Sequence, residues 1–305
     1  MPLYLTEADV ASLFEPADAV PIVEDSFRRL AAGEVVNQSR IRLPVDGGAL
    51  ALMGAVDRGL GVAGSKTYKA SFVVALFDAD GGDCIGVIEA NRLGQLRTGA
   101  ASGVAARNLA RRGARRLGII GCGFQAETQV ACVRAAVPTI EHVAAYCRTE
   151  DNLRDFCARV GAEAAETHRE AAVDCDVVVT ATTSKDPVLR GEWLRDGALV
   201  CAIGANHPSR RELDDVVLER ATFVCCDARD QARIESGDLI EPVEHGVLDW
   251  LEVHELQDVV AGEVRGRQSD RDIVVFKSNG LAAWDVAIGA AALERARERG
   301  VGTEV

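Results

Sequence analysis

The spacing of apolar residues divides the chain into two parts with different patterns. Residues 5–32 predict two helices, the first capped by Thr6 and the second opened by Pro16. Between residues 40 and 89, short apolar runs alternate with Gly and Asp turns, which predicts an antiparallel-rich sheet. Residues 96–111 then form an Ala-rich helical pattern. The first part therefore does not resemble a nucleotide-binding unit.

The second part alternates apolar strands with helices. Its runs are rich in Val and Ile, as expected for strands buried on both faces of a parallel sheet. These runs lie at 117–120, 143–146, 175–180, 198–204, 221–227 and 272–278. The predicted fold is α/β, with a Rossmann-type doubly wound parallel sheet and an α+β domain. The predicted domains are residues 1–98, completed by a C-terminal helix at 282–305, and residues 99–281.

A glycine motif lies where the first of these strands meets the next helix. Gly121 permits a tight turn, Gly123 lets the backbone approach a pyrophosphate, and Ala126 allows helix and strand to pack closely. Phe124 and Gln125 complete the predicted cofactor-binding turn. Glycine pairs also form ordinary strand-to-helix turns, but a motif between a strand and a helix favours a dinucleotide site.

The end of the second strand bears on the choice of dinucleotide. An NAD site usually has an acidic residue there, about 20 residues beyond the glycines, to accept bonds from the ribose. This chain has Cys147, Arg148 and Thr149 instead, which suits a 2′-phosphate. The alternative is that Arg148 is a surface residue and Glu150 or Asp151 supplies the carboxylate. We expect NADP(H) in preference to NAD(H).

Composition and charge exclude several classes of protein. The 305 residues carry a net charge of −13, which argues against a nucleic-acid surface. No apolar run is long enough for a membrane span, and no signal peptide is recognisable. The nine cysteines show neither a CxxC pair nor Cys/His ligand spacing. Reduced cysteines, a cytoplasmic location and no metal site are therefore expected.

Several further motifs occur together in one order along the chain. They are Arg42-Leu43-Pro44, Ala63-Gly64-Ser65-Lys66, the segment 96–102, the glycine turn, Gly204-Ala205-Asn206-His207-Pro208, Arg211-Glu212-Leu213-Asp214, Glu235-Ser236-Gly237-Asp238 and Phe276-Lys277-Ser278-Asn279-Gly280. In this combination the chain resembles the ornithine cyclodeaminase/mu-crystallin family over nearly its whole length.

The resemblance implies a homodimer whose first domain binds substrate and forms the dimer, with the cofactor in the second. It implies that Arg42, Lys66 and Arg97 surround the α-carboxylate of a small substrate. Guanidinium groups grip a carboxylate in fixed geometry, and Lys66 can also handle a proton. Without the resemblance, the two arginines could equally be surface residues. Thr98, near a helix start, would bond the pyrophosphate, and Ser278 would approach the nicotinamide amide.

The chain departs from the cyclodeaminases at Asn206, where they carry an aspartate that acts on the amino group. An amide cannot serve as a general base, although it can hydrogen-bond an imine or amine. Ala51, near where an acidic residue helps to hold ornithine, is a second departure. The predicted activity is therefore an oxidoreductase that interconverts an α-imino acid, or an α-keto acid plus amine, and an α-amino acid. Lys66 and Asn206 are its predicted catalytic residues.

Two alternatives remain at this level. One is an ornithine or lysine cyclodeaminase that releases ammonia while recycling bound NAD, and the other is a mu-crystallin-like protein that binds a small ligand. His207 is a spare proton donor but is more simply a loop residue. The substrate's side chain is not identified; residues that could line its pocket are Met53, Tyr68, Phe72 and Asn279.

Overall fold

The computed structural model describes residues 1–305. The strands are β1 Leu3–Leu5, β2 Val35–Val45, β3 Gly48–Asp57, β4 Val62–Tyr68, β5 Phe72–Asp78, β6 Cys84–Glu89, β7 Arg116–Ile120, β8 His142–Tyr146, β9 Glu163–Ala164, β10 Val177–Thr180, β11 Leu199–Ala202, β12 Phe223–Cys226, β13 Val253–Glu255, β14 Val274–Lys277 and β15 Thr303–Glu304. The α-helices are α1 Glu7–Leu13, α2 Pro16–Ala31, α3 Asn91–Leu109, α4 Ala126–Ala136, α5 Glu150–Val160, α6 His168–Ala172, α7 Asp215–Arg220, α8 Arg229–Glu235, α9 Gly237–Glu244, α10 Leu256–Val260 and α11 Ala282–Arg299. All nine cysteines are free thiols, and every helix is too short or too polar to cross a bilayer.

The chain divides into two compact units, and the first contains residues 1–97 and 280–305. Its seven-stranded sheet has the order β15-β1-β6-β5-β4-β3-β2, with an antiparallel meander from β2 to β6. Alternate residues of β3 are buried, as strand geometry requires when helices cover one face. On that side, Phe27 of α2 packs against Trp284 of α11 with ring centroids 5.2 Å apart.

A bulge interrupts β2 and changes which of its residues point inward. Gln38 pairs with Gly54 and Ile41 pairs with Leu52, so two residues of β2 oppose one residue of β3. The extra residue shifts the alternation, as bulges do. Arg40, the second of the two bulge residues, is buried, with 7% of its surface exposed.

The second unit, residues 98–279, is an eight-stranded sheet in which every neighbouring pair is parallel. The order β13-β12-β14-β11-β10-β7-β8-β9 reverses direction at β7, between β8 and β10. The central strands β10, β11, β12 and β14 are buried along their whole length. The predicted fold class is confirmed, and its switch point is where such sheets bind ligands.

The structure differs from the sequence prediction at the start of α3. This helix begins at Asn91 and not at residue 96, because Glu7 accepts the backbone N–H groups of Asn91 at 2.6 Å and Arg92 at 2.7 Å. A carboxylate at a helix start satisfies N–H groups that have no partner within the helix. Thr98 therefore lies roughly two turns inside the helix and not at its start. The prediction that Thr98 adjoins a helix start is wrong.

Candidate active site

The glycine turn follows β7 and leaves open space above one of its glycines. Gly121 has φ +103°, and a Cβ there would come within 2.5 Å of the Ala181 carbonyl oxygen. Only glycine suits that position. Gly123 has no other atom within 4 Å of its missing Cβ, and Ala126 is fully buried at the first position of α4. The turn fits a dinucleotide because a phosphate can approach Gly123 and the helix start behind it.

A cavity of about 420 Å³ adjoins this turn, which is within the ordinary range for a small-molecule site. Gly121, Gly123, Arg148 and Thr149 line it, together with His168, and no carboxylate does. Burial and the neighbouring Arg148 guanidinium lower the pKa of His168.

The other predicted cofactor residues have different positions. Phe124, Gln125 and Ala126 lead into α4 without lining the cavity, and neither Thr98 nor Ser278 lines it.

Ser278 follows β14 and is almost fully buried. Its hydroxyl donates to Asp227 at 3.0 Å, and the backbone N–H of Asn279 donates to the same carboxylate oxygen at 2.7 Å. Because the hydroxyl hydrogen is committed to Asp227, the Ser278 oxygen is left as an acceptor. The Ser278 oxygen can therefore accept a hydrogen bond from the N–H of an amide group.

Two buried cations in the first unit share one carboxylate. Lys66 Nζ lies 2.7 Å from Asp285 Oδ1, and Arg97 Nε lies 3.4 Å from the same oxygen. Lys66 and Asp285 are 2% and 1% exposed. Glycines make room for the cations, since a Cβ at Gly94 would lie 2.8 Å from Lys66 Nζ and one at Gly280 would collide with Arg97. The three charged groups carry an excess of one positive charge, which favours a bound anion.

The surroundings of Lys66 bring its proton affinity close to neutral pH. Burial lowers its pKa to about 8; Asp285 opposes this shift, while Arg97 and Arg40 add to it. An amine with such a pKa is present in both protonation states in the physiological range. Lys66 can therefore deliver or accept a proton, as general acid–base catalysis requires.

The structure also places Arg40, which the sequence did not single out, beside Lys66. Met53 pairs with Lys66 across β3 and β4, and the bulge in β2 sets Arg40 opposite Met53. Arg42, two residues further along the strand, pairs with the buried Ala51 and is half-buried. The bulge thus adds Arg40 to the residues near Lys66, and the predicted Arg42 follows it on the same face of β2. Two arginines with the spacing Arg-x-Arg are the only sequence signal, and they do not reveal which is buried.

The aromatic residues suggested for the substrate pocket lie next to these cations. Tyr68 and Phe72 stack with centroids 4.7 Å apart, and Lys66 Nζ is 5.9 Å and 5.4 Å from their respective centroids. Met53 is 3% exposed. The structure therefore brings Met53, Lys66, Tyr68 and Phe72 together.

Asn206 lies beyond the carboxyl end of β11 and is half-buried. In the same loop, the backbone carbonyl of Ala205 accepts a hydrogen bond of 2.6 Å from Lys277. His207 is exposed and its Nδ1 bonds only locally, to Ser209 at 2.8 Å. Asn206 thus occupies the edge of the sheet at which Rossmann-type proteins bind ligands.

Comparison with known proteins agrees with this arrangement. The sequence model of the ornithine cyclodeaminase/mu-crystallin family matches residues 2–300. The chain belongs to this family. It is 35% identical to the alanine dehydrogenase of Archaeoglobus fulgidus over 319 residues, covering 99% of this chain and 98% of that one.

Two solved structures of family proteins closely match the fold. The Δ1-pyrroline-2-carboxylate reductase of Thermococcus litoralis, in complex with NADH and L-proline, has a TM-score of 0.94 and 30% identity, covering 99% of this chain and all of that one. An archaeal alanine dehydrogenase dimer with bound NAD has a TM-score of 0.92 and 34% identity, covering 100% and 98%. A dehydrogenase and a reductase among the relatives confirm the predicted oxidoreductase class, and the predicted nicotinamide cofactor is confirmed at that level.

Proposed function

We propose that this protein interconverts an α-imino acid and an α-amino acid as an NAD(P)H-dependent oxidoreductase. The observation that carries the proposal is the buried Lys66–Arg97–Asp285 cluster, whose excess positive charge suits an α-carboxylate. Asn206 stands where a cyclodeaminase is expected to have an aspartate. Because an amide is not a base, this residue supports net oxidation or reduction of the substrate over cyclisation.

Each side chain has a distinct role in this proposal. Arg97, Arg42 and the neighbouring Arg40 bind the carboxylate of the substrate through charge-assisted hydrogen bonds. Lys66 donates a proton to the imine nitrogen in the direction of reduction and removes one from the amine in the direction of oxidation. The side-chain amide of Asn206 orients that nitrogen. The nicotinamide, when bound, supplies or accepts the hydride at Cα, so imine, hydride and proton together give the amine.

A spectrophotometric screen tests the function. NADPH and NADH are each incubated with Δ1-pyrroline-2-carboxylate, and with pyruvate plus ammonia, and consumption of the reduced cofactor is followed. We expect substrate-dependent loss of absorbance with at least one imino acid. Ammonia release from ornithine without a change in absorbance would instead favour a cyclodeaminase. If no imino, keto or amino acid altered the cofactor, a ligand-binding role would be the better description.

We propose NADP(H) as the preferred cofactor. The cavity beside the glycine turn contains Arg148 and Thr149 but no carboxylate to accept bonds from ribose hydroxyls. Asp151, one of the acids that could have supplied such a group, forms an ion pair with Arg154 at 3.1 Å. A guanidinium with no competing acid in the cavity supports a bound 2′-phosphate.

Replacing Arg148 with alanine is expected to weaken NADPH binding by about 10- to 100-fold, the usual effect of losing one charged hydrogen bond. NADH binding should change less than about twofold, because the variant removes a contact that only the phosphate makes. Fluorescence titration with both cofactors measures this. Arg154→Ala is the matched control, since Arg154 is an exposed arginine on the adjacent helix α5. Tighter binding of NADH than of NADPH by the unmodified protein would contradict the assignment.

We also propose that the protein is a homodimer in which residues 1–97 and 280–305 bind substrate and form the interface. The outward face of the first unit's sheet exposes several large apolar side chains. Exposed fractions of 36–52% occur at Val36, Ile41, Leu43, Val45, Val56 and Val73. A contiguous apolar sheet face commonly marks a protein interface. The dimeric state of the archaeal alanine dehydrogenase supports a second copy of this chain as the partner.

Changing both Ile41 and Leu43 to lysine should convert the dimer to monomer, because two charges would be buried without partners at the interface. Light scattering over a concentration series measures the mass. Leu251→Lys is the control, since Leu251 is 81% exposed in the second unit. A double variant that stays dimeric would place the interface elsewhere.

A further inference from the structure

The buried carboxylate of Glu212 bonds two loops at the carboxyl edge of the parallel sheet, and one of these loops contains Asn206. Glu212 is 0% exposed. One of its oxygens accepts the backbone N–H of Thr182 at 2.6 Å. The other accepts the Thr180 hydroxyl at 2.9 Å and the N–H groups of Gly204 at 2.7 Å and Ala205 at 3.3 Å. The loops that follow β10 and β11 are therefore bonded to one side chain.

Lys277 donates hydrogen bonds to backbone carbonyls at the end of β11 and in the loop that follows it. Its Nζ, fully buried, donates to the carbonyls of Ala205 at 2.6 Å and Ala202 at 3.3 Å. It also forms an ion pair with Asp238 at 3.0 Å, and Asp238 in turn accepts the backbone N–H of Glu212 at 2.6 Å. The N–H and the carbonyl of Ala205, the residue before Asn206, are thus both held by buried charges.

Burying the charged groups of this network costs free energy of folding. Burial raises the pKa of Glu212, and the charge of Lys277 opposes that rise. Removing such charges from water costs free energy, whereas apolar residues packed in the same space would not have this cost. Stabilising the folded state is therefore a weak explanation for the network. Gly204 shows how closely the parts fit, because a Cβ there would collide with the Thr182 backbone and the Glu212 carboxylate.

We propose that Glu212 is a positioning residue for Asn206, acting with Lys277 to hold the segment 203–206 in one conformation so that the Asn206 amide is presented to the substrate nitrogen. This inference rests on the proposed role of Asn206. It assigns a function to Glu212, Asp238 and Lys277, for which the reaction itself supplies none. Small displacements of an orienting group reduce catalysis sharply, so a network that fixes the position of Asn206 would increase the rate.

Asp176 provides a matched control at the opposite edge of the same sheet. It precedes β10, is 1% exposed, and accepts the backbone N–H groups of Arg115 at 2.7 Å and Arg116 at 3.0 Å and the side chain of Arg111 at 2.6 Å. Asp176→Asn removes a buried, multiply bonded carboxylate without touching the loop of Asn206. Loss of stability alone should therefore be similar in the two variants.

The first test needs no substrate. Hydrogen exchange at the amides of Gly204 and Ala205 is measured in the full-length protein and in E212Q and D176N. E212Q should accelerate exchange at these two amides by at least about tenfold, because an amide group replaces one of the accepting oxygens. D176N should leave both amides within about twofold of the unmodified protein. Unchanged exchange in E212Q would overturn the proposal.

The second test asks whether Glu212 acts through Asn206. E212Q should lower kcat by about 10- to 100-fold with KM changed less than about threefold, and raise the isotope effect of cofactor deuterated at the transferred position. The double variant E212Q/N206A should be no slower than N206A, since coupled residues are not additive. Effects that multiply would overturn the proposal. If E212Q does not fold, E212D, which keeps the charge but shortens the side chain, is used in the same cycle.

The two tests separate the possible failures. An unmodified protein that reduces no imino acid would contradict the proposed function, and hydrogen exchange would still decide whether Glu212 orders the loop. An active protein with a multiplicative cycle would leave the function intact and remove the link between Glu212 and Asn206.

Discussion

Replacing Lys66 with methionine is expected to lower kcat/KM for imino-acid reduction by about 10³-fold, within the range for loss of a general acid. Methionine is unbranched and apolar, and Lys66 is 2% exposed opposite Met53, so the variant removes the charge while largely filling the same space. Cofactor binding, measured by fluorescence, serves as the control and should not change substantially.

The pH profile distinguishes proton transfer by Lys66 from a purely electrostatic role. Its pKa is lowered to about 8, so the ammonium form predominates below that pH and the amine above it. Reduction should therefore slow as pH rises through about 8, and oxidation should accelerate over the same interval. Asp285→Asn should move both limbs to lower pH, because Asp285 raises the pKa of Lys66. A Lys66→Met protein that kept these limbs would exclude Lys66 as their source.

The second large effect concerns the arginines near Lys66. Arg97→Ala and Arg40→Ala should each lower kcat/KM by on the order of 10²- to 10³-fold, since truncating one partner of a buried charge pair costs about 2–5 kcal/mol. The cost should be large because both side chains are buried, with 9% and 7% of their surfaces exposed. Arg42→Ala should lower kcat/KM less, by about fivefold, because Arg42 is half-buried and water screens its charge more than those of the two buried arginines.

Steady-state kinetics with the imino acid found in the screen, at saturating cofactor, would measure the three variants. The Arg42 variant is the matched control, since it removes the same side chain from the same strand. Equal losses in the Arg40 and Arg42 variants would contradict this ranking by burial. An Arg40 variant with normal kinetics would exclude Arg40 from the carboxylate site.

Local sequence patterns were sufficient to predict the fold class and the cofactor turn. Continuous Val-rich runs followed by helices predict a buried parallel sheet wherever they occur, because the pattern reflects burial on both faces. The strain at Gly121 and the open space at Gly123 likewise depend on a few adjacent residues. The replacement of an expected aspartate by Asn206 was visible from motif order alone. These features are encoded over short stretches of chain.

Only the tertiary structure decided which charged groups meet. Lys66 and its partner Asp285 are 219 residues apart, and no periodicity links them. One extra residue in β2 brings Arg40 to the buried face, ahead of Arg42. Glu7 moves the start of α3 by capping it from 84 residues away. In each case the deciding interaction joins groups that are distant in sequence, and a buried charge finds its partner only once the chain has folded around both.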